Sequence, residues 1–216
     1  MSLIFNLLLI PSAYLIGSIA TSVWIGKAFY NVDVREHGSG NAGFTNTVRV
    51  LGWKAGLPVF FIDVLKGYIA VSLVRMSGNF VPGTISFINF QLLLGAAAVL
   101  GHIFPLYVGF KGGKGVATLL GLLLAIQPHV TLICLAIFLV SFLTTRYVSL
   151  SSMIAGIAFP VLNILVFHTT AVSLIIFSMI VSILLLLTHQ KNIERLLKRE
   201  ESRAKIIKRK NREGIR

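Results

Sequence analysis

Acidic side chains are scarce in this chain, where seven Asp and Glu stand against twenty Lys and Arg. Before Glu194 the only acids are Asp33, Glu36 and Asp63, so the sequence offers no carboxylate cluster for Mg²⁺ and no evident Ser-His-Asp set. No metal and no cofactor is expected. Cysteine is rarer still: Cys134 stands alone in an apolar run, which excludes a disulfide framework and a thiolate metal site. Charged residues make up only 12% of the chain, while 56% is hydrophobic and the mean hydropathy is +0.86. That much apolar surface cannot hide in one soluble core of 216 residues, and the chain reads as an integral membrane protein.

A membrane-spanning helix needs roughly 20 apolar residues to cross about 30 Å of hydrocarbon. Candidate spans fall at about 3–26, 55–75, 84–104, 115–128, 129–146, 149–167 and 169–188, which predicts an all-α polytopic fold of about seven transmembrane helices. Pro128-His129 marks either a tight turn or a kink within one long segment, so a count of five stays open. Lys27, Arg35, Arg49 and Lys54 follow the first candidate, Lys111 and Lys114 the third, and Arg146 the fifth, whereas 76–83, 128–129 and 167–169 carry no Lys or Arg. The positive-inside rule then puts the N-terminus outside and the C-terminus in the cytoplasm.

The net charge of +13 invites a nucleic-acid reading, yet eleven of the twenty basic residues lie between Lys191 and Arg216. There Ile193, Leu196, Leu197, Ala204 and Ile207 recur at helical spacing. The division expected is a transmembrane catalytic domain over 1–190 and a basic amphipathic cytoplasmic tail over 191–216, lying on anionic membrane lipids rather than on nucleic acid.

Three polar segments carry the chemistry. The first, His37 to Arg49, satisfies the letters of the dinucleotide fingerprint at Gly38, Gly40 and Gly43, but a membrane span precedes it where that fingerprint needs a strand. What remains is Ser39, Gly40, Asn41, Thr45 and Asn46 with the Arg49 guanidinium, a set suited to an anionic, hydroxyl-rich ligand. The second, Gly109-Phe110-Lys111-Gly112-Gly113-Lys114-Gly115, is no nucleoside-triphosphate loop, since Lys114 is followed by Gly115 rather than Ser or Thr. Its glycines let backbone N–H groups converge on phosphate, with Lys111 and Lys114 adding charge. The third, His189 to Arg195, places His189, Asn192 and Arg195 on one helical face. His189 and Glu194 are a near-miss to an H-x-x-x-x-D acyltransferase box, which does not assign the chain to that class.

Two further features stay open. His102, before Pro105, either binds ligand or hydrogen-bonds a nearby carbonyl. Asp63 and Lys66, on one face of the second span, form either an ion pair bracing the bundle or a site in which Lys66 faces substrate.

Together the three segments resemble the three cytoplasmic motifs of the bacterial acyl-phosphate-dependent glycerol-3-phosphate acyltransferases, the PlsY family: His37 to Gly43 with Thr45, Asn46 and Arg49; Gly101 to Pro105 with Phe110 to Thr118; and His189, Asn192, Ile193, Arg195, Leu196 and Leu197. Phe44 stands where a smaller residue is expected, and Arg199 where family members often carry glycine. The resemblance implies an enzyme of the bacterial cytoplasmic (inner) membrane, its active site on the cytoplasmic side. Its substrates are a fatty acyl-phosphate and sn-glycerol 3-phosphate, its products 1-acylglycerol 3-phosphate and phosphate, in the first step of phospholipid synthesis, with no obligate protein partner.

In the mechanism expected, Gly112, Gly113, Gly115, Lys111 and Lys114 hold a phosphate, and Ser39 and Arg49 fix the second substrate. His189 and Asn192 orient the attacking hydroxyl or polarise the carbonyl, and the base is either His189 or a substrate phosphate oxygen. A transporter of an organic phosphate is the rival reading, with polar groups near the bilayer midplane as its mark.

Overall fold

The computed structural model describes residues 3–204. Among them the chain forms ten α-helices and no strand. The long ones are α1 (Leu3–Gly17), α4 (Trp53–Ser72), α5 (Ile85–Ile103), α7 (Pro128–Thr145), α8 (Val148–Val161) and α9 (Val172–Thr188), and the short ones are α2 (Thr21–Tyr30), α3 (Phe44–Leu51), α6 (Val116–Ile126) and α10 (Gln190–Leu197). In α1, α5, α7 and α9 the runs of Leu, Ile, Val and Phe have no polar face, as expected of helices whose solvent is lipid on one side and protein on the other. Leu132, Val140 and Leu143 of α7 accordingly point outward while Val71, Leu122 and Phe159 are buried in the bundle.

The count of spans differs from the seven expected. Four helical stretches are long and apolar enough to cross a membrane, or six if the bent pairs α1 with α2 (42°) and α9 with α10 (59°) each count as one. The discrepancy lies in α6, which with its 11 residues rises only about 17 Å against about 30 Å of hydrocarbon. Pro128 is neither a kink nor part of α6: it opens α7 at the first helical position, where its missing N–H costs nothing.

Glycines bring the helices that carry the site into backbone contact. A Cβ on Gly67 would collide with the carbonyl of Thr118, and one on Gly121 with the carbonyl of Val64, so α4 and α6 touch backbone to backbone. The α1–α2 break at residues 18–20 frees carbonyl groups, and Lys66 Nζ donates to one of them, Ile19 O, at 2.7 Å. Lys66 also pairs with Asp63 Oδ1 at 2.8 Å, and Thr21 Oγ1 donates to the same oxygen at 3.0 Å. With side chains only 3% and 2% exposed, the pair ties α4 to the break between α1 and α2, and Lys66 also borders a pocket described below.

On either side of residue 190 the described chain is continuous with the bundle. His189 joins α9 to α10, and the chain beyond packs back on the bundle: Glu201 bonds Ser149, and Ala204 N donates to Arg146 O at 2.9 Å. The amphipathic helix expected to reach Ile207 stops at Leu197, and Arg199 follows in the left-handed region at φ 59. That conformation accounts for the glycine the resemblance implies there. Residues 205–216, Ile207 among them, lie outside the described residues.

Candidate active site

The first polar segment is a folded unit organised by one amide. Buried Asn46 accepts from Ser39 N at 2.8 Å and donates from Nδ2 to Val34 O at 2.7 Å and His37 O at 3.1 Å. Its side chain is spent on holding the loop, which corrects the expectation that Asn46 holds phosphate. Ser39, Gly40, Thr45 and Arg49 remain exposed and Asn41 is half-buried. Phe44, in place of a smaller residue, lies against Trp53 and Phe60 with ring centroids 5.8 and 5.3 Å away, outside the polar surface.

The second segment departs most from expectation. Gly112 N donates to Ile103 O and Gly113 N to His102 O, both at 3.1 Å, so these two amides close a hairpin back onto the end of α5 and do not point at an anion. The reason for glycine is space. A Cβ on Gly113 would strike His102 Nε2 and come within 2.8 Å of Ala42 O, and one on Gly112 would strike His102 O. Gly115, at φ 81, then turns the chain into α6, whose first-turn N–H groups have no helical partner and are the amides available beside Lys114. Lys111 is exposed and Lys114 half-buried.

Lys114 joins the second segment to the third, its Nζ donating to Asn192 Oδ1. Burial pushes the Lys114 ammonium down to about 8; Glu201 opposes the shift, while Arg195 and Arg49 add to it. Cations from the first and third segments are therefore near enough to act on Lys114. His189, buried at the α9–α10 junction, has Nδ1 2.8 Å from Leu185 O. A carbonyl only accepts, so Nδ1 carries the proton and Nε2 is left with its lone pair.

Asn192 Nδ2 in turn donates to Glu201 Oε1 at 2.7 Å, Ser149 Oγ to the same oxygen at 2.6 Å, and Arg195 Nε to Glu201 Oε2 at 2.9 Å. Burial alone would raise the Glu201 carboxyl, but these three donors hold it below the usual carboxylate range. Glu201 and Ser149 escaped the sequence reading. The available signal was the pair Glu200-Glu201 inside an otherwise basic stretch.

Beneath Gly112 and Gly113 lies a small pocket bordered by Thr21, Ala42, Asp63, Lys66, His102 and Pro105. His102 Nδ1 meets Thr118 Oγ1 at 3.1 Å and lies 3.8 Å from Asp63 Oδ1, so its ring is held by side chains rather than by a carbonyl near Pro105. Ser39, Lys114, His189 and Asn192 do not border this pocket. The glycine hairpin has two sides: a buried network with Asp63, Lys66 and His102, and a cationic surface with Lys114, Asn192, Arg195 and Arg49 nearby.

Comparison with known proteins is consistent with this geometry. The family model "Glycerol-3-phosphate acyltransferase" matches residues 7–199. Proteins named glycerol-3-phosphate acyltransferase from Chlorobium phaeobacteroides (strain BS1) and Chlorobaculum tepidum are 41% and 42% identical, covering 92% and 91% of this chain and 96% and 95% of theirs. A crystal structure of PlsY, an integral membrane glycerol 3-phosphate acyltransferase, in its glycerol 3-phosphate form superposes with a TM-score of 0.83 at 39% identity over 93% of this chain and 96% of that one. Its lysophosphatidic acid form gives 0.79 at 38% identity, over 93% and 95%. An all-helical membrane bundle that gathers three polar segments around one lysine, matched over nearly its whole length, belongs to the glycerol-3-phosphate acyltransferase family.

Proposed function

We propose that this chain, an integral-membrane glycerol-3-phosphate acyltransferase, takes its acyl group from a fatty acyl-phosphate and delivers it to the 1-hydroxyl of sn-glycerol 3-phosphate. The hydroxyl oxygen attacks the acyl carbon, the ester C–O bond forms, and the bond from that carbon to the phosphate oxygen breaks. Inorganic phosphate leaves with the electron pair. An acyl-phosphate is already a mixed anhydride, so positioning and charge stabilisation suffice and no covalent enzyme intermediate is needed.

The observation that carries this reading is the contact of Lys114 with Asn192 under the charge of Arg49 and Arg195, which unites the three polar segments where two phosphates must meet. Lys111, Lys114 and the amides opening α6 hold one phosphate, with Gly112 and Gly113 giving the hairpin its shape. Ser39 and Arg49, with Gly40, Asn41 and Thr45, fix the other substrate. His189 Nε2 takes the hydroxyl proton while Asn192 orients the hydroxyl or polarises the carbonyl. The carbonyl anchor at Leu185 favours His189 over a substrate phosphate oxygen as base, because it leaves Nε2 free to accept.

Seven traverses with a short α6, the N-terminus outside and the polar end in the cytoplasm of a bacterial inner membrane complete the reading. The three polar segments meet one another, the second through Lys114 with the third and through its backbone with Arg35 beside the first, which favours a shared catalytic site over an organic-phosphate transporter.

Purified protein in detergent, given labelled glycerol 3-phosphate, palmitoyl-phosphate and EDTA, is expected to yield lysophosphatidate and phosphate one for one. Product only from a coenzyme A or carrier-protein thioester would overturn the donor assignment. Uptake into vesicles without any acyl product would overturn the enzyme reading. Labelling of Ser39→Cys from outside the cell would overturn the orientation.

A further inference from the structure

Arg35, which none of the roles above uses, hydrogen-bonds from the turn just before the first polar segment to the backbone that opens the second. It sits in the 3-10 turn Val34–Glu36. Its Nη1 donates to Val108 O at 2.7 Å and reaches Lys111 O at 3.4 Å. Nε and Nη2 grip Asp33 bidentately at 3.0 and 2.7 Å, and Asp33 also accepts from Arg35 N and pairs with Lys27 at 3.2 Å. The Arg35 guanidinium beside it holds the Asp33 carboxyl far below the usual carboxylate range, so the fork stays aimed throughout physiological pH.

What Arg35 holds is a left-handed turn. Between the two carbonyls it touches lie Gly109 at φ 73 and Phe110 at φ 59. A left-handed Phe is strained and persists only where its surroundings over-determine it. Phe110 N donates to Pro105 O at 2.9 Å, which closes the turn, and Tyr107 and Val108 pack it against Trp24 and against Ala20, Val23 and Ala42. Arg35 adds the hydrogen bonds to its carbonyls, the second of them one residue before the Gly112–Gly113 hairpin and three before Lys114. On the other side, Val34 O accepts from Asn46 Nδ2 and Asn46 Oδ1 accepts from Ser39 N. A continuous path of hydrogen bonds therefore runs from Ser39 through Asn46 and the 3-10 turn to Arg35, and on to the backbone that carries Lys111 and Lys114.

We propose that Arg35, aimed by Asp33, is a positioning residue that sets the register between the half-site on the first segment and the phosphate-holding half-site on the second. It touches no substrate. Each half-site keeps its own affinity without it, but the two substrates no longer meet in line. The inference rests on the proposed acyl transfer, and wild-type turnover in the same assay tests that reading separately.

The experiment is steady-state kinetics on Arg35→Gln, Arg35→Lys, Asp33→Asn and the Arg35→Gln/Asp33→Asn double variant, with Tm in detergent measured in parallel. A misplacement of about 1 Å at a reacting centre costs about a hundredfold, so kcat of Arg35→Gln is expected to fall by about ten- to a hundredfold while both KM values stay within about threefold. Lysine cannot chelate Asp33 and reach Val108 O together, so Arg35→Lys does not restore kcat. Asp33→Asn falls in the same direction but less, and the double variant is no worse than Arg35→Gln alone. If kcat of Arg35→Gln stays within threefold of wild type, if lysine restores it, or if the loss tracks a lowered Tm and vanishes per folded molecule, the proposal is wrong.

Discussion

Replacing Gly113 by alanine adds one methyl group at the point where the first and second polar segments touch. Gly113 is not among the residues of positive φ, so alanine meets no backbone penalty there and the whole effect is steric. The new Cβ collides with His102 Nε2 and sits 2.8 Å from Ala42 O and 3.1 Å from His102 Cδ2, all tighter than carbon contacts of about 3.5 to 4.0 Å. The ring has little room to retreat, because Thr118 holds its Nδ1 and the residue is only 6% exposed. The hairpin or the Ala42 backbone must shift, and either carries a substrate half-site with it. Overpacking of this kind costs about 1–3 kcal/mol, equivalent to about five- to a hundredfold in an apparent affinity. Initial rates against each substrate should show a KM for one phosphate substrate raised within that range. Gly109→Ala provides the contrast: nothing lies within 4 Å of its Cβ and only its φ of 73 opposes alanine, so that variant loses at most about 1–2 kcal/mol of local backbone energy. Gly113→Ala with both KM values and kcat within twofold of wild type would refute the argument.

Lys114 must be charged to hold phosphate, and burial lowers it to about 8, so kcat/KM should decline as pH rises through about 8. Lys114→Arg, charged throughout, should lose that alkaline limb, and an unchanged limb in this variant would assign it elsewhere. Lys66→Met strands the Asp63 carboxylate in the bundle and should destabilise by about 3–5 kcal/mol, while Asp63→Asn/Lys66→Met recovers most of the loss in a thermal melt; a single variant as stable as wild type would remove the brace. His189→Asn keeps an N–H for Leu185 O but has no basic nitrogen, so kcat should fall by about a hundredfold or more with the fold intact. Near-normal turnover at saturating substrate would hand the base role to a substrate phosphate oxygen.

Composition and periodicity made the helical membrane class legible, because no soluble packing accommodates those apolar runs. Lengths were less legible: 115–128 reads as one more apolar stretch, and the turns at Gly115 and Gln127 trim it to the 11 residues of α6. The three polar segments could be read as chemistry since loops between spans have little other reason to gather Gly, Asn, Thr and Lys. Their internal division of labour could not. Asn46 and Ser39 look alike as polar loop residues, yet one spends every side-chain group on the loop's own backbone, and that depends on how the turn Val34–Glu36 folds over it. Gly112 and Gly113 were legible as glycines needed for close approach, but the object approached is the protein's own His102 and Ala42. Glu201 was hidden because its partners Ser149 and Asn192 lie 52 and 9 residues away, and no spacing rule spans the first of these.

The short α6 bears directly on how a lipid and a water-soluble molecule share one site. α6 and α7 meet at Gln127, and α7 returns to the polar end, where Arg146 O accepts from Ala204 N and the neighbouring segment bonds Ser149. With 18 residues against 11, α7 rises about 10 Å further than α6 at equal tilt. The N-terminus of α6, and Lys114 with it, then lies about 10 Å short of the level that α7 reaches along the bundle. In the proposed reaction that recess would let a phosphate at Lys114 be approached from the first and third segments while its acyl chain runs along the apolar side of α6. An α6 as long as α7 would raise Lys114 by about 10 Å and, on the same proposal, draw the acyl chain that far from the apolar surface it needs.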